Sequence, residues 1–333
     1  MKRLGVGVVL ICALAATAWF VWAAVSERAV AGWFAERQDA GWIARYDTLS
    51  IQGFPLEFVT VMNTVELADP ATGWAWSAPE FTLRQTAWNP DRTEAIWPSS
   101  QTLASPFERL DITAGHLSAL LDVQPSSNLA LDASRTQIND LHITSTANWR
   151  LTLVQALAEV TRLEGEDASY SIEFHASDLT PPEDVAAILD PAGVLPPAIP
   201  VVTSSSRIAF DRAWDMSAIE TERPQIRRIE LSEARAEWGD LMLRASGDLD
   251  VDDQGRPDGD IAIRAENWET MLDMANRAGL LPQALRGTAR TALGFLASLS
   301  GDPEDIDATI SFDEGFMFFG PLPIGEAPRL ILR

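Results

Sequence analysis

The sequence predicts a mainly β (α+β) protein. An N-terminal transmembrane helix is followed by a large curved antiparallel β-sheet body, in one piece or two lobes, with a few covering helices. Three observations carry this expectation. The chain opens on a long uncharged run. From about residue 47 short alternating segments recur every 8–12 residues or so between turn residues, the pattern of an all-β body. Hydrophobic residues make up 47% and charged residues 22% of the 333 positions, enough to build a core and too balanced for global disorder.

Lys2 and Arg3 precede Leu4–Val25, 22 positions without a charge. As a helix rising about 1.5 Å per residue that run is ~33 Å long, against a hydrocarbon core of ~30 Å. Trp19 and Trp22 stand near its far end, where interfacial aromatics belong. The positive-inside rule places the N-terminus in the cytoplasm and the body in the periplasm, with the chain a single-pass protein of the inner membrane. Cleavage is the alternative, since Ala16-Thr17-Ala18 and Ala29-Val30-Ala31 fit a small-residue cleavage site. Cys12 follows Ile11 and lies too deep in the apolar run for a lipoprotein signal.

The expected organisation is a cytoplasmic tip and anchor over 1–25, a helical stalk over 26–45, a first β-rich lobe over 46–180, a Pro-rich junction over 181–200 and a second β-rich lobe over 201–333. Val30, Trp33, Phe34 and Trp42 recur at helical spacing in the stalk. Trp33, Phe34 and Trp42 are candidates for contacts with a membrane surface, or alternatively pack on the body. In the first lobe, Gly53-Phe54-Pro55 reads as a bend between two strands. Short strands follow around Trp74, Phe81, Leu110, Leu129 and Leu141. Asn148 is expected to cap a helix running from Trp149 to about Leu163, and a strand covers Tyr170–Phe174. Six prolines punctuate 181–200, leaving room for one short helix at 183–190.

The second lobe contains the clearest element. Ile226–Trp238 and Leu241–Val251 flank the two-residue turn Gly239-Asp240. On the return strand Leu241, Leu243, Ala245, Leu249 and Val251 share one face, and Met242, Arg244, Ser246, Asp248 and Asp250 the other, as a sheet with one buried face requires. A third strand carries Ile261 and Ile263 inward. Asn267 then caps a helix from Trp268 to about Ala278, stopped by Gly279, and a second helix covers about Gln283–Leu299. The tail from Ile306 to Phe319 is β-like. Phe312, Phe316, Phe318 and Phe319 are candidates for contacts with an apolar ligand; closure of the lobe's core is the alternative.

Composition excludes several functions. Lys+Arg 25 against Asp+Glu 48 gives a net charge of −23, a surface that repels nucleic acid. Lys2 is the only lysine, which removes Schiff-base and P-loop chemistry from the body, and with Cys12 the only cysteine the body has neither disulfides nor thiolate metal sites. Asp250-x-Asp252-x-Gln254-Gly255 partly fits a calcium loop, but the twelfth position is Ile261 instead of glutamate, so a solvated turn is expected. His116, His142 and His175 show no ligand spacing, and no nucleophile elbow, Walker loop or dinucleotide fingerprint is present. No cofactor, no metal and no catalytic residue is expected.

The string Ala245-Ser246-Gly247-Asp248-Leu249-Asp250-Val251-Asp252, with Gly255-x-Pro257-x-Gly259, Asn267-Trp268, the early Gly53-Phe54-Pro55 and the closing Pro321-Leu322-Pro323-Ile324-Gly325, resembles the bacterial envelope family catalogued as domain of unknown function 2125. That family is similar in style to AsmA-like and YdgA-like proteins. The resemblance implies an anchored, β-rich envelope protein and no catalytic residues. The expected function is non-enzymatic binding or shielding of an apolar, lipid-like ligand in envelope maintenance. The alternatives are a structural or interaction protein that holds other envelope proteins, and an undetected hydrolase.

Overall fold

The structure is a computed structural model. It describes residues 2–332 except 126–127, 167, 191–192, 278–286, 288–289, 292, 295–296, 298–303 and 321; the side chains of 2–15, 219–220, 275 and 322 also lie outside the described ones. The chain divides into two compact units, Met1–Asp122 with Gln137–Asn148, and Val123–Thr136 with Trp149–Arg333.

In the first unit one helix, α1 (Lys2–Asp39), covers both the uncharged run and most of the expected stalk. It stops two residues before Gly41, whose φ of +87° is a left-handed conformation natural to glycine. The stalk is shorter than the sequence suggested. Ile43–Arg45 is already strand β1, because it pairs with Glu66–Ala68 and so finds a partner for its backbone that a longer helix would forgo. Strands β2 (Thr48–Gln52) and β3 (Glu57–Asp69) flank the expected Gly53 bend and pair antiparallel. β4 (Trp74–Thr86) is one long strand where two short ones were expected, paired along the whole of β3. β5 (Asn89–Ile96), β6 (Ser100–Ala104), β7 (Arg109–Thr113) and β8 (His116–Val123) complete a sheet of short pairings. β9 (Leu131–Ser145) contains the expected strand at Leu141 and starts only at the end of the one expected at 129–131, where Leu129 has a φ of +49°; it belongs partly to each unit.

The helix docks on this sheet along one stripe. Trp19 and Ala23 are buried against Phe58, and Phe34 is buried with Ala44, Met62 and Val65. These positions recur at helical spacing, and the exposed Phe20, Val21 and Val25 fall between them. Among the described residues no helix is long and apolar enough to cross a membrane.

The second unit is a run of antiparallel neighbours: β10 (Arg150–Arg162), β11 (Ser169–Thr180), β12 (Ile199–Phe210), β13 (Ile226–Trp238), β14 (Leu241–Val251), β15 (Pro257–Glu266), β16 (Asp305–Asp313), β17 (Phe316–Phe319) and β18 (Leu322–Glu326). Each pairs with the next in this order. β10 replaces the helix expected from Trp149 to Leu163. Its Leu, Ala, Gln and Glu favour a helix locally, but ten of its residues pair with β11; tertiary pairing overrides propensity. Asn148 turns the chain with a φ of +66° in place of capping a helix.

Residues 181–200 do not separate the units. The expected short helix is there as α2 (Glu183–Leu189), yet the segment lies inside the second unit, because β11 and β12 on either side of it pair directly. The Trp238 indole donates to the Pro196 carbonyl at 2.7 Å, tying the segment to the β13–β14 hairpin. α3 (Ser217–Glu220) is a single turn. The expected helix after Asn267 is α4 (Trp268–Arg277), and Trp268 and Leu272 bury against Ala265 of β15 and Ile306 of β16. Asn267 takes a φ of +58°, and its side-chain amide donates to the Asp240 carbonyl at 2.6 Å, so it ties the helix start to the hairpin turn. Leu241, Leu249 and Val251 are buried as expected, while Leu243 stays 40% exposed. The expected stop at Gly279 lies outside the described residues, as does most of the expected helix 283–299.

A stability anchor of this unit is Tyr170, whose ring is fully buried and whose hydroxyl accepts the Trp214 backbone N–H at 3.0 Å. Burial pushes the phenol above its ordinary pKa, against the opposing effect of the Trp214 N–H, which would favour the anion. Tyr170→Phe leaves that N–H without its acceptor, and urea denaturation is expected to show a loss of about 1–2 kcal/mol.

Candidate functional site

The sheet of the second unit has one apolar face, where α4 packs, and one polar face. Antiparallel register puts paired residues on the same side. Arg235 of β13 stands opposite Arg244 of β14, and Arg244 opposite Arg264 of β15; Asp307 of β16 follows in the same row. Three arginines therefore stand abreast on the polar face of a chain whose net charge is −23. Like charges directly opposite one another across strands are destabilising, so the row asks for compensation. Arg264 has it, at 3.0 Å from Asp305, and Arg235 has it in an ion pair with Glu237.

Arg244 does not. Among the described residues it forms no ion pair and no hydrogen bond, and its Nε is buried without an acceptor; the Nε of neighbouring Arg235 is buried unpaired as well. A buried unpaired donor on a cation is costly. Arg244 and Arg264 line a groove of about 820 Å³, together with Ser232, Ser246, Thr309 and the backbone around Ala262 and Ile263. Glu233 and Asp307 also line it, neither within ion-pair distance of Arg244. The arrangement presents N–H donors that lack acceptors, flanked by hydroxyls, in a concavity of ligand size. It suits an oxyanion such as a phosphate or carboxylate, which guanidinium groups bind in fork geometry.

The phenylalanines singled out in the sequence do not form one cluster. Ser311 pairs with Phe318, and Asp313 with Phe316, so both rings lie on the groove face. Phe312 pairs with Met317 and Ile310 with Phe319, which puts Phe312 and Phe319 on the opposite face with Ile261. Strand alternation across the β16–β17 turn splits the four residues two and two. Phe316 is 49% exposed, and Phe318 is half-buried. Gly320, two residues beyond Phe318, reaches the groove lining.

The stalk aromatics are divided too. Phe34 is 5% exposed and sits edge-on to Tyr46 with centroids 4.8 Å apart, so its ring belongs to the core of the first unit and is withdrawn from any membrane surface. Trp33 packs at the rim of that core under the Arg37 guanidinium, and Trp42 is half-buried.

The calcium-like loop is a tight turn. Asp252 Oδ1 accepts the backbone N–H groups of Arg256 and Gln254, each at 2.8 Å. These bonds, that of Arg256 foremost, hold its carboxyl below the ordinary 3.8. A depressed carboxylate pKa stabilises the fold above the unfolded value and loses that contribution as pH falls through the lower folded one. Protection of the Gln254 and Arg256 amides, measured as exchange relative to the intrinsic rate at each pH, is expected to fall on acidification through that range, and Asp252→Asn is expected to remove the acid step. His116 Nε2 lies 2.9 Å from Ser118 Oγ on β8, while His142 and His175 lie on β9 and β11. Among the described residues no group of three or more His, Cys, Asp or Glu is placed to hold a metal.

The fold and site define a β-rich protein whose second unit is a meander with a polar, arginine-lined groove on the face opposite α4. Residues 19–328 match the family described as "Uncharacterized protein conserved in bacteria (DUF2125)", and the chain belongs to it. No curated protein and no solved structure matches the chain.

Proposed function

We propose that this chain is a membrane-tethered, non-enzymatic binding protein of the bacterial envelope that holds an amphiphile by its anionic headgroup. The observation that carries the reading is Arg244, an unpartnered guanidinium between two other arginines at the wall of an 820 Å³ groove. A phosphate or carboxylate there would satisfy the unpaired Nε of Arg244 and offset the repulsion along the row. The exposed Phe316 and half-buried Phe318 on the same face offer apolar surface to an acyl chain. The ligand is thus amphiphilic rather than purely apolar.

The tether is supported by the 22 uncharged positions after Lys2 and Arg3, and the periplasmic side for the body by the positive-inside rule. The test is native mass spectrometry with lipid extraction on the full chain, purified gently from a bacterial envelope fraction. A stoichiometric anionic lipid supports the reading. A bound inorganic anion alone keeps the arginine site and removes the lipid, and an unliganded mass with a stoichiometric protein companion moves the groove to an envelope-assembly role.

A further inference from the structure

We infer that two turns of the first unit, at Gly53–Leu56 and at Ala87-Trp88, rest in the outer leaflet interface beside the N-terminal helix, so that helix and body enter the membrane as one aromatic collar. The inference builds on the tether reading and adds a second membrane contact made by the β-body itself.

Geometry at Trp19 carries it. Trp19 is 7% exposed, and its indole Nε1 donates to the Glu57 carbonyl at 2.9 Å. Its ring stacks on Phe58 with centroids 5.3 Å apart and planes at 11°. Phe54 meets Trp19 edge-on at 5.4 Å and stacks on Phe20 at 5.6 Å. The helix is therefore held level with the β2–β3 turn at residue 19. From Leu4 to Trp19 a helix rises only ~22 Å, well short of a hydrocarbon core of ~30 Å. The uncharged run reaches that thickness only at about Val25. A helix that fills the core with this run carries Trp19, and the turn bonded to it, to within about 10 Å of the membrane surface.

The surface at that level is built for such a place. On the helix around Trp19, Phe20 is 61%, Val21 60%, Trp22 46% and Val25 49% exposed, with Phe20 against Phe54 and Trp22 beside Phe58. On the turns, Phe54 is 51%, Leu56 59% and Trp88 70% exposed, and the Ala87 N–H binds the Leu56 carbonyl at 2.9 Å, which keeps the two turns adjacent. Large apolar side chains exposed side by side mark an interaction surface, and tryptophan and phenylalanine around a helix exit suit the headgroup boundary. Continuity with the uncharged run commits the occupant to one bilayer leaflet. The net charge of −23 favours a zwitterionic leaflet over an anionic one.

The test uses the full chain with Cys12→Ser, reconstituted in phosphatidylcholine nanodiscs and labelled with the environment-sensitive dye NBD at Leu56→Cys or Trp88→Cys. The control is Phe107→Cys. Phe107 is 93% exposed, and its neighbour Pro106 packs over Gly73, just beyond the far end of β3. The control site is thus some 40 Å from the collar at ~3.3 Å per strand residue. The expected result is blue-shifted emission at 56 and 88, quenched severalfold more by doxyl-labelled lipid than by aqueous iodide, with the reverse at 107. Aqueous behaviour at both 56 and 88 in chains that do enter the nanodiscs overturns the collar and leaves the tether standing. Failure of the full chain to enter nanodiscs at all overturns both.

Discussion

Gly247→Ala is expected to destabilise the second unit by about 3 kcal/mol or more, the range reached when a strained φ and a steric clash coincide. Gly247 has a φ of +152°, and a Cβ there would stand 2.1 Å from the Asp260 carbonyl oxygen and 2.9 Å from the Ile261 Cα. Both are backbone atoms of the paired strand, so no rotamer change can relieve the contact. Gly259 is its counterpart: φ +133°, with its Cβ 2.3 Å from the Asp248 carbonyl oxygen. The two glycines let β14 and β15 approach more closely than side chains would allow. Gly320→Ala is the control, since that residue also has positive φ (+56°) but nothing within 4 Å of its Cβ. It is expected to cost about 1–2 kcal/mol, from backbone conformation alone. Urea denaturation followed by tryptophan fluorescence separates the two; equal losses for Gly247→Ala and Gly320→Ala would show that strand approach is not the reason for glycine at 247.

Arg244→Met is expected to weaken retention of an anionic ligand roughly tenfold to a hundredfold, while leaving the fold intact or slightly more stable. A hydrogen bond to a charged group contributes about 1.5–3 kcal/mol, and each 1.4 kcal/mol is about tenfold in affinity. Among the described residues Arg244 has no partner to lose, and its removal relieves two cross-strand repulsions of a few tenths of a kcal/mol each. The opposed signs are the point of the experiment. An arginine kept at some cost in stability and required for binding is a site residue. Arg264→Met offers the contrast, because it also breaks the ion pair with Asp305. If Arg244→Met lowers the urea midpoint and ligand occupancy does not change, the row is structural and the groove reading falls.

Two of the three arginines in the row are legible as a pair in the amino-acid sequence. The hairpin turn at Gly239-Asp240 fixes its own register, and Arg235 and Arg244 each lie four residues from it, so a two-residue turn sets them opposite one another. Arg264 is not legible there, because the loop between β14 and β15 does not determine a register by its length. Nor is the missing partner of Arg244, which depends on where every nearby carboxylate ends. The phenylalanine cluster fails for the converse reason. Phe312, Phe316, Phe318 and Phe319 are near in sequence, but strand alternation and the β16–β17 turn send them to both faces.

By itself the sequence determined the β-rich class, the hairpin with its polar and apolar faces, the Gly53 bend, the helix after Asn267 and the family. All of these rest on local chemistry: turn residues, alternation, and glycines whose conformations few other residues adopt. Only the tertiary structure decided that Arg150–Arg162 is a strand, that the prolines at 181–200 sit within a unit, that Phe34 is core, and that Arg244 and Arg264 meet at a groove beside Arg235. Each of those depends on pairing or packing between residues far apart in the chain, where burial and backbone hydrogen bonding outweigh the local preferences a sequence displays.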